Sequence, residues 1–372
     1  MRRYRSASVV AFLSVVALLA AACGDGGGGD DVSAGGGTEG ETSGASAGGG
    51  GQAETSNVIR FTFAPDPAWD WVKDQGILEA MEQESGFRII QLATWDEFAT
   101  FAGGHADVIS TGTYETPLLE NQGIETVTFG QFNMNKDVLV TANPEYQTAA
   151  DMPEGCLIAS ESVSGNTIIW SSLINQLDGR EVAEGSSDLG ITTADYQIIP
   201  TLLREGEACA GILDPTQVIP DMASGDLTVM YDGKSASQLY GENIVDGHEG
   251  VLSNAFVSRK AWFDANPDAA AFFLQVWDCA MVQWAEHRDE IIDTYPQHFA
   301  VENEQEAQFM KNYFSNTFDW FVESPYLTEE WIEGERPVFD LVQEAGIIPE
   351  DAEFPEHAVI TPSEDSPCPE GF

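Results

Sequence analysis

Trp69 and Trp71, in the stretch "APDPAWDW", could stack on a planar or cationic group. The alternative is that either indole packs the helix that starts there. Further on, Ser110, Thr111 and Thr113, followed by Tyr114 in "STGTYET", set hydroxyls beside the free backbone N–H groups of a helix start. That combination suits an anion or a carbonyl, although plain N-capping uses the same residues. The stretch "ESVSGNT" repeats the logic with Ser162, Ser164, Asn166 and Thr167, and Gly165 permits a close backbone approach. Asp214, after "GIL", could meet a cation or a donor, or could cap the helix opened by Pro215. Trp95, at the head of a short helix, is a fifth candidate.

This is the equipment of a binding site rather than of a bond-breaking one. No G-x-S-x-G elbow, Walker glycine loop or H-E-x-x-H pair occurs, so no catalytic residue is expected and the chain is read as a non-enzyme. His105 with Asp107, and Asp246 with His248 and Glu249, look like metal ligands only in isolation. No histidine pair at helical spacing supports them, and neither metal nor cofactor is expected. The formal charge of −47, with only five lysines, repels nucleic-acid phosphates and anionic lipid headgroups. Because the acids run along the whole chain, they report a saline, extracytoplasmic habitat more than a ligand.

Strand and helix alternate around these residues. "NVIRFTF", "FRIIQLAT" and "ADVIS" read as strands, separated by an amphipathic helix ending at Gly86 and a short helix in "WDEFATFAGGH". The alternation restarts at "GCLIAS" and continues through "ACAGIL" and "DLTVMYD"; the remainder of the chain is helical. Such a pattern predicts parallel sheets covered by helices on both faces. The candidate loops then fall at the carboxyl ends of strands, where open α/β sheets bind ligands. Cys156 opens one of these strands and Cys209 the strand expected beside it. Of the three pairings possible among four cysteines, Cys156–Cys209 and Cys279–Cys368 are therefore expected.

The N-terminus reads differently. Arg2, Arg3 and Arg5 precede a short apolar run, the pattern of an export signal over residues 1–22. "AAAC" followed by Gly24 resembles a bacterial lipobox, which makes Cys23 the lipidated first residue of a membrane-anchored protein. Residues 23–56 are glycine, serine and acid, too poor in apolar side chains to fold, and form a tether spanning on the order of 30 Å. Loss of the signal removes three arginines and takes the charge from −47 to −50.

Four stretches in order carry a family resemblance: "GGHADVISTGTYETPLLENQG", "DMPEGCLIASESVSGNTIIWSSL", "LLREGEACAGILDP" and "VLSNAFVSRKAWFDANPDAAAFFLQVW". Together they resemble substrate-binding proteins of nitrate/sulfonate/taurine-type ABC importers, and cover most of Asn57 to about Arg288. The resemblance implies the two-lobe periplasmic-binding-protein type II fold, with residues 57–137 and 251–372 in one lobe, 138–250 in the other, and a ligand cleft between them. It further implies a monomer that delivers a small solute to an ABC permease and its ATPase. The alternatives are a pyrimidine-precursor-binding or pyrimidine-synthase-like protein of the same fold, and an adhesive surface lipoprotein. Apart from Lys73, no lysine or arginine lies in or beside the candidate loops, so the charge-assisted clamp of a sulfonate is missing. That directs the expectation from strong anions toward zwitterionic, neutral or aromatic nitrogenous solutes.

Overall fold

The computed structural model describes residues 55–372 apart from 95, 162, 164, 246, 247, 249 and 317–320. The strands are β1 (Val58–Phe63), β2 (Arg88–Ala93), β3 (Val108–Thr111), β4 (Thr126–Met134), β5 (Val138–Thr141), β6 (Cys156–Ser160), β7 (Val182–Ala183), β8 (Leu189–Thr193), β9 (Ala210–Leu213), β10 (Thr228–Val229) and β11 (Leu252–Arg259). The α-helices are α1 (Pro67–Asp74), α2 (Ile77–Ser85), α3 (Glu97–Ala102), α4 (Thr116–Glu120), α5 (Gly165–Asp178), α6 (Ile199–Glu205), α7 (Ile219–Ser224), α8 (Ala236–Asn243), α9 (Lys260–Ala265), α10 (Pro267–Thr294), α11 (Glu304–Asn316) and α12 (Glu329–Glu344).

Two mixed sheets result. The first has the order β2-β1-β3-β11-β4 and the second β10-β5-β9-β6-β8-β7. In the first, β1 runs parallel to β2 and β3, while β11 runs antiparallel to β3 and β4. In the second, β6 is parallel to both β8 and β9, and β5 is antiparallel to β9. Every strand of the second sheet lies between Val138 and Val229, so the chain crosses from one sheet to the other only around Asn135–Asp137 and returns into β11. β4 and β11 pair side by side, with Leu252 opposite Met134, so the two crossings are adjacent.

The first sheet carries an aromatic core. β1 buries Phe61 and Phe63, which stack on each other and meet Trp69 and Trp277 edge-on. Asp66 starts α1 by accepting from the backbone N–H groups of Ala68 and Trp69, and Pro67 occupies the first turn without wasting a donor. The 28-residue α10 covers this sheet, and its backbone breaks at His287 (φ −122°). A second core gathers Ile158, Ile169, Trp170, Leu173 and Tyr240 against the other sheet. Disulfides join Cys156 to Cys209, fastening β6 to the start of β9, and Cys279 to Cys368, fastening the C-terminal tail to α10.

Candidate ligand cleft

A cleft of about 700 Å³ opens between the two sheets. Its walls are carboxyl-terminal strand ends: Ala64 to Asp66 after β1, Ser160 and Glu161 from β6, and Leu213, Asp214 and Thr216 from β9. Its floor is the crossing region, with Phe132, Asn133, Lys136 and Asp137 from one crossing and Ser253 and Asn254 from the other. Gln297 and His298, on the turn Pro296–Phe299, close one side, and Tyr196 and Gln197 stand before α6. His298 is held there by Asp70 at 3.0 Å, and that hydrogen bond keeps the Asp70 carboxyl below its ordinary range.

The floor is built by a short relay. Asn135 accepts from the Asp137 backbone N–H at 3.0 Å and donates from Nδ2 to Asn166 Oδ1 at 2.7 Å, tying the crossing to the first turn of α5. Lys136, about 9% exposed, extends toward Asp214, with Nζ 3.6 Å from Oδ2. Asp214 Oδ1 meanwhile accepts from the Thr216 backbone N–H and hydroxyl, at 2.9 and 2.7 Å. The capping reading of Asp214 holds for one oxygen, and the other faces Lys136 at the cleft. Asp137 loses much of its hydration and lies near the charge of Asp214; together these raise its pKa to about 7 against the opposing pull of Lys136. Asn133 lines the cleft at 6% exposure, and its side-chain carbonyl has no hydrogen-bond partner.

Of the candidates read from sequence, Asn166 and Asp214 line this cleft. Trp69 does not: it is fully buried among Phe61, Phe63 and Trp277, 5.1 Å from the last, because the Asp66 cap turns the inner face of α1 onto the sheet. Trp71 is also in the core, donating to Gln283 Oε1 at 3.1 Å and lying against His287. The packing alternative therefore describes both indoles. Trp95, Ser162 and Ser164 fall outside the described residues, as does Cys23.

The loop after β3 is occupied from within the chain. Ser110 is buried in the strand. Thr111 donates to Glu115, whose carboxylate also takes the Gly112 backbone N–H at 3.0 Å. Thr113 donates to Glu335 Oε2 on α12 at 2.8 Å, and the other Glu335 oxygen accepts from the Leu252 backbone at 2.9 Å. Burial raises the Glu335 pKa to about 7. The Tyr114 ring covers Gly165, where any Cβ would come within 2.5 Å of it. Thr167 is buried and bonded to Ser160 at 2.8 Å. The two helix starts are brought together, but as a packed seam behind the cleft, roofed by Phe339 and Val342 of α12. The Thr113 and Thr167 hydroxyls face protein rather than the gap, and of the second start Asn166 reaches the cleft.

Lys136, Asp137, Glu161, Asn133, Tyr196 and His298 went unnoticed in the sequence. The expectation that Lys73 is the only cation near the site is corrected: Lys73 pairs with Asp70 on the surface of α1, whereas Lys136 is in the cleft. A signal was available, since "NKDVLVTAN" marks the point where the chain leaves the first sheet, and a crossing point floors any cleft between two sheets. Of the metal-like residues, Asp107 is held by the Arg60 guanidinium and His248 packs on Trp331 at 4.5 Å; Asp246 and Glu249 lie outside the described residues.

No protein-family model matches the chain, and no curated protein matches its sequence. Solved structures do match. The periplasmic aliphatic sulphonate binding protein SsuA from Escherichia coli superposes with a TM-score of 0.64 at 14% identity, covering 84% of this chain and 96% of that one. The alkanesulfonate-binding protein SsuA from Xanthomonas axonopodis pv. citri, bound to MOPS, gives 0.61 at 12% identity over 82% and 100%. A putative periplasmic sulfonate-binding protein from Methylobacillus flagellatus gives 0.60 at 15% identity over 81% and 91%. The chain shares the periplasmic-binding-protein type II fold with these neighbours, which are binding proteins rather than enzymes.

Proposed function

We propose that this chain is an extracytoplasmic solute-binding lipoprotein that captures a small polar solute, whether taurine- or sulfonate-like, zwitterionic or nitrogenous, and delivers it to an ABC permease with its ATPase. The observation that carries the reading is the cleft between facing strand ends, polar on its floor and large enough for a small molecule. The fold likeness to sulfonate-binding proteins supports it. On this reading residues 57–137 with 251–372 and residues 138–250 are lobes that close on the solute about the two adjacent crossings, and the protein works as a monomer without turnover. Residues 23–56 tether it to a lipid anchor on Cys23.

A thermal-shift panel of taurine, alkylsulfonates, pyrimidines, betaines, amino acids and amines tests the capture role. At least one class should raise the melting temperature saturably with no product formed; a panel with no saturable shift, or with turnover, would contradict the reading. Detergent partition of Cys23→Ser tests the anchor, and a variant that stays membrane-bound argues against lipidation.

A further inference from the structure

We propose that the cleft selects its solute by a cationic N–H group, an ammonium or guanidinium, received by Asp137, Glu161 and Asp214 across from the unpartnered carbonyl of Asn133. The inference rests on the solute-binding reading and names the chemistry of that same site. It starts from the charges on the walls. Four carboxylates line the cleft, Asp66, Asp137, Glu161 and Asp214, against one lysine and no arginine among the described residues. Asp66 spends its Oδ1 on the start of α1, and His298 is matched by Asp70 outside the cleft. Lys136 already faces Asp214. Asp137 takes a hydrogen bond from Asn166 and also feels the charge of Lys136, yet the walls keep more carboxylates than cations.

An anion entering this space would add a like charge beside those carboxylates, and the single ammonium is turned toward one of them. A cation does the reverse, since it relieves the mutual repulsion of Asp137 and Asp214. Asn133 adds an independent observation. A buried amide carbonyl without a partner carries a desolvation cost that an N–H donor on the solute removes. Tyr196, half-buried at the rim, supplies an aromatic face for the same charge.

Proton linkage follows from the groups around Asp137. Asp214 faces it from β9, Glu161 from β6, Asn166 from α5 and Lys136 from its own segment, and the Tyr114 phenol feels its charge from behind. A bound cation favours ionised Asp137, so binding between pH 6 and 8 should strengthen with pH and release protons.

The test is calorimetric titration, in amine-free buffer, with a charge series of agmatine, n-butylammonium, taurine and butanesulfonate. Agmatine and butylammonium should bind most tightly, exceeding butanesulfonate by about tenfold or more. Asp137→Asn and Glu161→Gln should each weaken agmatine by about tenfold. Lys136→Gln should tighten both cations, an effect of opposite sign that misfolding cannot imitate. If butanesulfonate or taurine binds best and Lys136→Gln abolishes it, the cation assignment is overturned while the solute-binding reading stands. If no member of the series binds, the assignment is also overturned, and the wider thermal-shift panel decides the fate of the reading.

Discussion

The loop after β9 and the loop after β3 look alike in sequence, each a short polar stretch between a buried strand and a helical turn. They end in opposite situations. Asp214, after β9, keeps one oxygen in the cleft facing Lys136. Thr113 and Tyr114, after β3, are covered by α12, a segment more than 200 residues away in the chain, which presents Glu335 to the Thr113 hydroxyl. A strand end is therefore a binding edge only when no later element covers it. Here the front of the junction stays open and acidic, while the back is closed by Tyr114 on Gly165 and by the apolar face of α12.

Trp69→Ala gives the largest expected effect on this contrast. An indole fully enclosed by Phe61, Phe63 and Trp277 leaves a cavity when it is removed, costing about 3–5 kcal/mol by analogy with other core truncations. Thermal melts should show that loss. Tyr196→Ala, at the half-buried cleft rim, should melt nearly as the native protein does but bind less well. Equal melting of the two variants would place Trp69 outside the core.

A smaller effect concerns the seam. Glu335 is buried and its folded pKa is raised to about 7, so between the ordinary carboxyl range and about pH 7 the folded state holds more protons than the unfolded one. Stability conferred by this group is thus present at acid pH and lost as pH rises through about 7. Glu335→Gln keeps an acceptor for the Leu252 N–H and lets the Thr113 hydroxyl turn to accept. Relative to the native protein, the variant should melt similarly at pH 5 and gain on the order of 2 kcal/mol at pH 8. A constant difference across that range would contradict the buried-carboxyl account.

Much of the fold was legible because its signals are local. Alternating runs such as "FRIIQLAT" and "ADVIS" specify strands through burial on one or both faces, and Gly86 ends α2 in the left-handed conformation that glycine adopts freely. Cys156 and Cys209 could be paired because both stand at the starts of neighbouring strands. Less of the site was legible. Asp214 and Asn166 were recoverable because they follow β9 and β6, but Lys136 and Asp137 lie on the short crossing between β4 and β5, which carries none of the hydroxyl-rich, helix-start pattern of the candidate loops. The tryptophans misled because a Pro-Asp-Pro cap looks the same whether its helix turns the indoles inward or outward. Only the partners from α10, Trp277 and Gln283, decide that, and they come some 200 residues later.

The central claim, that the open front binds solute while the back supports the junction, is tested most directly by titrating Asp214→Asn and Thr113→Ala side by side with the tightest solute of the panel, alongside their melting curves. Asparagine can still cap the turn at 214, so that variant should lose about tenfold in affinity at an unchanged melting temperature. Thr113→Ala should keep native affinity and lose about 1 kcal/mol of stability through the hydrogen bond to Glu335. Native affinity in Asp214→Asn, together with lost affinity in Thr113→Ala, would put the solute at the back of the junction and contradict the account.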